Sequence, residues 1–173
     1  MIHCPLCDFS NIEGEDFCQE CGQSLNDLHS TPPLTLVEKA LVRDRLRVLE
    51  PATPIAVAPD TSVSDVITLM DQRSIGCVLV VDNDELVGVF TERDVIQRVA
   101  EQIESLADCP VSQFMTSSPQ TLDPRAKVVF AVRQMDLGGF RHIPIVDDKG
   151  TAHGVISVRD ILRYFTKVIR QES

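Results

Sequence analysis

The chain has 173 residues, 43% of them apolar and 5% aromatic, with no Trp and a formal net charge of −10. That is apolar material for one ordinary domain with a small appendage, and the acidic balance and scarce aromatics exclude a general phosphate-backbone binder or a base-stacking platform. No stretch approaches the ~20 uninterrupted apolar residues of a membrane span, and the opening "MIHCPLCDFS" has neither segment of a secretory leader, so a cytoplasmic protein is expected.

Four of the six cysteines fall within the first 21 residues, as Cys4-x2-Cys7 and, ten residues on, Cys18-x2-Cys21. Two such knuckles can converge four thiolates on one tetrahedral Zn²⁺ at ~2.3 Å, and Gly22 suits the tight turn after the second. A segment this small has almost no core of its own, so the metal would supply its folding energy. The competing assignments are a disulfide pair, which a cytoplasmic setting opposes, and a redox CxxC, which lacks its βαβ surroundings. Residues 1–28 resemble a zinc ribbon with Cys4, Cys7, Cys18 and Cys21 as ligands. Residues 1–30 hold Asp8, Glu13, Glu15, Asp16, Glu20 and Asp27 but no Lys or Arg, which suits a protein contact better than a phosphate. Four cysteine ligands leave no position for a catalytic water, so a structural, partner-docking element is expected.

Residues 29–50 read as a linker and connecting helix. The Pro32–Pro33 pair in "HSTPPLTL" stops regular structure. Leu34, Val37, Leu41 and Val48 then follow a rough 3.6 period, predicting a helix over 35–50 that ends at Pro51 and packs on the main domain.

Residues 51–167 contain two copies of one unit. At an offset of 65, Pro54, Pro59, Val63, Met70, Asp71, Val81 and Asp82 match Pro119, Pro124, Val128, Met135, Asp136, Val146 and Asp147. One inserted residue moves the offset to 66, where Gly88, Val89, Arg93 and Asp94 match Gly154, Val155, Arg159 and Asp160. Each copy reads β-α-β-β-α. A short strand ("PIAV", "PQTL") leads to a turn at Pro59 or Pro124 and a helix over 62–73 or 125–137. Asp123 before Pro124 fits a helix cap followed by Pro at the first helical position. Two apolar strands follow ("CVLVVD" and "LVGVFT", then "HIPIVD" and "HGVIS"), and a last helix opens at Thr91 or Ser157.

That last helix begins twice with a hydroxyl and a carboxylate three residues apart, in "GVFTERD" and "GVISVRD". Reciprocal capping accounts for the pair by itself. The same arrangement also suits a nucleotide, since a helix N-terminus attracts phosphate and a nearby carboxylate can accept ribose hydroxyls.

Repeat, element order and motif together resemble the cystathionine-β-synthase (CBS) domain pair, with one domain at 51–103 and the second at 104–173. The resemblance implies an α/β fold in which two β-α-β-β-α repeats pack with pseudo-twofold symmetry around two clefts, here preceded by a small four-cysteine zinc ribbon and a linker helix. It implies an adenine nucleotide (AMP, ADP or ATP) as ligand, with Asp94 and Asp160 on ribose and Thr91 and Ser157 near the phosphates. It further implies that Thr53, Pro54 and Ile55, or Ser118, Gln120 and Thr121, border adenine. His142, leading Ile143 and Pro144, would face phosphate, with Cys77 as its mate in copy one; a buried structural histidine is the other reading of His142. Arg141, His142 and Arg159 favour the second site, whereas Cys77 and the acidic Glu92 leave Arg93 as the nearest cation of the first.

The expected function is a regulatory, signal-transducing module that senses an adenosine-containing ligand and docks an unidentified protein partner through its ribbon. No nucleophile–base pair emerges from histidines 3, 29, 142 and 153, and Cys77 and Cys109 bear no mark of activation, so an enzyme is not expected. Two readings stay open beside it: ribbon-directed nucleic-acid binding or transcriptional control, and a scaffold with empty clefts. A homodimer is expected, because Val95, Ile96, Val99, Ile161, Leu162 and Phe165 sit at helical spacing and belong either to a dimer face or to the core.

Overall fold

The computed structural model describes residues 1–4, 7, 9–12, 14–25 and 35–170. The expected break at Pro32–Pro33, along with His29, Leu34, Asp8, Glu13 and Asp27, lies outside them. Among the described residues no helix is long and apolar enough to cross a membrane.

The N-terminal segment forms two short antiparallel strands, β1 (Ile2–His3) and β2 (Ser10–Asn11). The backbone N–H of Cys4 donates to Phe9 at 2.9 Å, and Gly22, at φ +66°, donates to the Cys18 carbonyl at 2.8 Å. The apolar cluster here consists of Cys4, Cys18 and Leu25, with Ile2, Cys7 and Cys21 against it. Among the described residues, two aliphatic side chains beside four cysteines are too little core to fold alone.

Helix α1 (Leu36–Arg43) starts with a capping box between Thr35 and Glu38. It is shorter than the predicted 35–50 helix, and a 3-10 turn at Leu46–Leu49 replaces the remainder. The interruption has a tertiary cause. Backbone 44–46 extends to pair with the approach to repeat two, Leu46 N donating to Ala126 O and Val128 N to Asp44 O, each at 2.9 Å. The same pairing delays helix α5 (Val128–Gly138), which was expected from 125. Asp123 and Pro124 form a preceding turn instead of its cap, with the Asp123 carboxylate accepting from Arg125 N at 2.7 Å.

In repeat one, β3 (Ala56–Val57) runs parallel to β4 (Cys77–Asp82), which pairs antiparallel with β5 (Glu85–Thr91). Asn83 and Asp84 take φ of 48° and 66°, the left-handed pair that closes a tight hairpin. Helix α2 (Val63–Arg73) lays Val63, Val66 and Met70 on Val78, Val80 and Phe90. Beyond β5 come α3 (Glu92–Asp94), a π-helical stretch Val95–Val99, a 3-10 turn Ala100–Gln102 and α4 (Ile103–Leu106). The edge of this sheet is covered by β6 (Thr116–Ser117), which already belongs to the entry into repeat two.

Repeat two returns the exchange. Its hairpin of β7 (His142–Val146) and β8 (Ala152–Ser157) is flanked by Leu122, bridged parallel to Ile145, and by Ala52, bridged antiparallel to Val155. Ala52 and Val155 exchange both backbone hydrogen bonds, at 3.2 and 3.1 Å. Each hairpin is thus completed by the chain leading into the other repeat, which locks the two into one pseudo-twofold body. A shared cluster of Cys77, Leu79 and Val89 against Ala152 and Val155 fills the seam. Helix α6 (Val158–Arg170) closes the repeat-two core with Ile161 and Tyr164, against α1, the 3-10 turn and α5.

Candidate nucleotide clefts and cysteine cluster

The two helix openings are built alike. Thr91 N and Oγ1 both donate to Asp94 Oδ2, at 2.9 and 2.6 Å, and Asp94 N donates back to Thr91 Oγ1 at 3.4 Å. Ser157 N and Oγ donate to Asp160 Oδ2 at 2.8 and 2.7 Å, with Asp160 N returning at 3.4 Å. Capping therefore occupies one oxygen of each carboxylate. The other oxygen differs: Asp94 Oδ1 meets Arg98 and Thr116, both at 3.4 Å, whereas Asp160 Oδ1 meets Arg163 at 2.9 Å.

Each opening borders a cleft between the repeats. The first, about 560 Å³, gathers Thr91, Arg93, Asp94, Ser118, Gln120 and His142. The second, about 390 Å³, gathers Thr53, Pro54, Ile55, Cys77, His142, Ser157, Arg159 and Asp160. Three expected residues lie in neither. Thr121 lines a separate shallow groove with Lys149, Ile143 turns into the repeat-two core by strand alternation, and Pro144 is buried within β7. Because the lead-in strands are exchanged, the 53–55 segment of repeat one serves the Asp160 cleft and the 118–120 segment of repeat two serves the Asp94 cleft.

In the N-terminal cluster the four cysteine sulfurs lie within 4.8 Å of one another, with Cys4–Cys21 and Cys7–Cys18 at 3.5 Å. No disulfide joins any of the four. A tetrahedral site with bonds of ~2.3 Å requires sulfurs ~3.8 Å apart, so the donor set fits one zinc ion. Backbone N–H groups donate toward the Cys7, Cys18 and Cys21 sulfurs, while burial raises the Cys7 thiol despite the N–H of Phe9. Although burial raises the Cys18 thiol, the N–H groups of Cys21 and Glu20 bring it down to about 6. Burial dominates at Cys21, pushed up to about 11 despite the N–H of Gln23. The segment is tied to repeat two by Arg133 of α5, which donates to the Cys21 carbonyl.

The family model of the CBS domain matches residues 46–101 and again 111–167. The chain belongs to the CBS domain family. It is 33% identical over 118 residues to the mitochondrial CBS domain-containing protein CBSX3 of Arabidopsis thaliana, covering 65% of this chain and 57% of that one. The matched region spans 57–64% of the length of three curated relatives. Among solved structures, a CBS domain protein of Pyrobaculum aerophilum complexed with AMP superposes with a TM-score of 0.61 at 25% identity, covering 67% of this chain and 88% of that one. CBSX2 in complex with AMP gives 0.59 at 26% identity, covering 70% and 96%.

Within this CBS pair the clefts share a wall, which motif reasoning did not anticipate. Gly76, Glu92, Arg141 and His142 line both. Thr116, Phe140 and Arg98 also line the first cleft unannounced; only the i,i+4 spacing of Arg98 from Asp94 could have signalled one of them. Burial holds the His142 imidazole below its ordinary value, with Glu92 opposing and Arg159 adding to the shift. Burial, reinforced by the Asp94 charge, pushes the Cys77 thiol up to about 12, so it lines the cleft as a neutral, unreactive group.

Proposed function

We propose that this protein is a regulatory sensor that binds an adenosine-containing ligand between its CBS repeats and relays occupancy to a protein partner through a zinc ribbon. One observation carries the reading: a hydroxyl–carboxylate helix opening faces each of two clefts, in a fold that two solved relatives share while holding AMP. In each cleft the acid offers its oxygens to ribose and the helix start offers N–H groups to phosphate. Pro54, Ile55, Ile75 and Val155 in one cleft, and Val89, Pro119 and Phe140 in the other, supply apolar surface for adenine. Arg159 and Arg93 are the phosphate cations of the respective sites, and the second cleft is the tighter.

Cys4, Cys7, Cys18 and Cys21 would hold the zinc, whose contribution is a cross-link in place of a missing core. The ribbon exposes Ile12 and Phe17, at 65% and 59%, beside an acidic surface, which favours a protein as its partner.

The test is a thermal-shift panel with AMP, ADP, ATP and S-adenosylmethionine, followed by calorimetry on whatever shifts. A ligand at 100 times its Kd stabilises the native state by about 2.7 kcal/mol, a readily measured rise in Tm. No shift with any of them at millimolar concentration rejects the nucleotide reading and favours a scaffold.

A further inference from the structure

The wall shared by the clefts is asymmetric about the pseudo-twofold. Where repeat two presents Arg141 and Val158, repeat one presents Gly76 and Glu92 at the corresponding positions. The absence of a side chain at Gly76 makes room for an acid. A Cβ there would stand 3.0 Å from Glu92 Cδ and Oε2, so the Glu92 carboxylate lies directly over the glycine, and the Glu92 backbone N–H donates to the Gly76 carbonyl at 3.1 Å. Among the described residues no hydrogen bond or ion pair engages that carboxylate. The carboxylate therefore borders both clefts without a direct ionic partner, and its charge acts on the His142 imidazole across the wall.

The cations at the wall do not outnumber it by much. Among the described residues Arg141 is the one arginine lining both clefts, while Arg93 and Arg159 line one each. His142, held below its ordinary value by burial, adds no charge at neutral pH. Arg98 is engaged with Asp94 and the carbonyls of Phe114 and Met115. A fixed carboxylate acts on a ligand in proportion to the ligand's charge, so it is indifferent to a nucleoside and increasingly repels longer phosphate chains.

We propose that Glu92 is the charge-selecting residue of both clefts, weighting them toward adenosine ligands with one phosphate or none and against di- and triphosphates. The proposal rests on the nucleotide reading and specifies the ligand class within it.

Calorimetric titration of the full chain with adenosine, AMP and ATP, in the absence of divalent cations, tests it. Glu92→Gln keeps size and hydrogen-bonding capacity and removes only the charge. The expected result is unchanged adenosine affinity, AMP binding tightened ~3-fold and ATP binding tightened ~10-fold or more. An equal change for all three ligands, or none for any, overturns the proposal while leaving the nucleotide reading intact. Absence of binding by all three to the unmodified chain removes the nucleotide reading and this proposal together. Repeating the titrations in Asp94→Asn and Asp160→Asn backgrounds, each weakening one cleft, tests the shared role. The charge-ranked shift is expected in both backgrounds, and its confinement to one overturns the claim that a single residue serves two sites.

Discussion

At equivalent positions repeat one carries Cys77 and Arg98 where repeat two carries His142 and Tyr164, although the strands beneath them pair in the same register, Cys77 with Thr91 and His142 with Ser157. The helices that follow diverge. After Thr91 the chain passes through the π-helical stretch Val95–Val99, and Arg98 reaches Asp94 and the carbonyls of Phe114 and Met115. After Ser157 the helix runs unbroken to Arg170, and the Tyr164 hydroxyl donates to Asp44 at 3.0 Å. Both acids are held through both oxygens: the Asp94 side chain, 7% exposed, shares its Oδ1 between Arg98 and Thr116 at 3.4 Å, whereas the Asp160 side chain, 13% exposed, gives its Oδ1 to Arg163 at 2.9 Å, a side chain 58% exposed. The difference teaches that duplication preserved the cap and specialised its acid. In repeat one the acid is tied across elements, to its own helix and to Thr116 of β6; in repeat two its partners, Ser157 and the solvent-facing Arg163, are both local in sequence.

The largest expected effect separates the repeats by their attachment to the ribbon, which contacts repeat two through Arg133. Chelating the proposed zinc should unfold residues 1–28, since structural zinc contributes on the order of 10 kcal/mol to such a segment. Hydrogen exchange should then rise across the ribbon and modestly in α5, with α2 of repeat one unchanged. Equal protection before and after chelation, or metal-free protein from elemental analysis, would refute the zinc assignment.

Next come the two acids. Asp160→Asn should weaken AMP by about 1.5–3 kcal/mol, roughly 10- to 150-fold, with a smaller loss of Tm than the same change at Asp94. Asp94→Asn should do the reverse, costing about 1–3 kcal/mol of stability through its buried contacts and less affinity. Paired calorimetry and thermal melts decide it, and identical behaviour of the two variants would break the comparison.

A subtler contrast concerns association. Of the six residues with dimer spacing, Val99 and Ile161 are core, while Ile96 and Leu162, equivalent by the repeat offset, are 71% and 58% exposed. If both repeats contribute one half of a dimer face, Ile96→Glu and Leu162→Glu should each shift the protein toward monomer in light scattering. A monomeric unmodified chain at micromolar concentration would remove the dimer.

The smallest effect should be the most symmetric. Thr91→Ala and Ser157→Ala each delete one cap of the same geometry, so each should lower stability by ~1 kcal/mol in denaturant melts. Unequal losses would mean that the caps are not equivalent after all.

Features written in local pattern were legible without the fold. Cysteine spacing announced the four-sulfur cluster, the 65- and 66-residue offsets announced two β-α-β-β-α units, and Thr91 and Ser157 marked the helix starts to the residue. Such signals survive because each depends on residues a few positions apart, whose geometry the backbone dictates directly.

What only tertiary structure decided was everything that joins the repeats. Pairing of β6 with β5, and of Ala52 with Val155, sends each repeat's lead-in to the other's hairpin and thereby assigns residues 53–55 to the Asp160 cleft and 118–120 to the Asp94 cleft. Pairing of 44–46 with 126–128 cut short the helix predicted from the Leu34–Val48 period and displaced the Asp123–Pro124 cap. Glu92 became a shared wall only because Gly76, sixteen residues away in sequence, leaves the space it fills. Unpaired backbone groups of an edge strand must find partners somewhere, and no local periodicity says which distant segment will supply them.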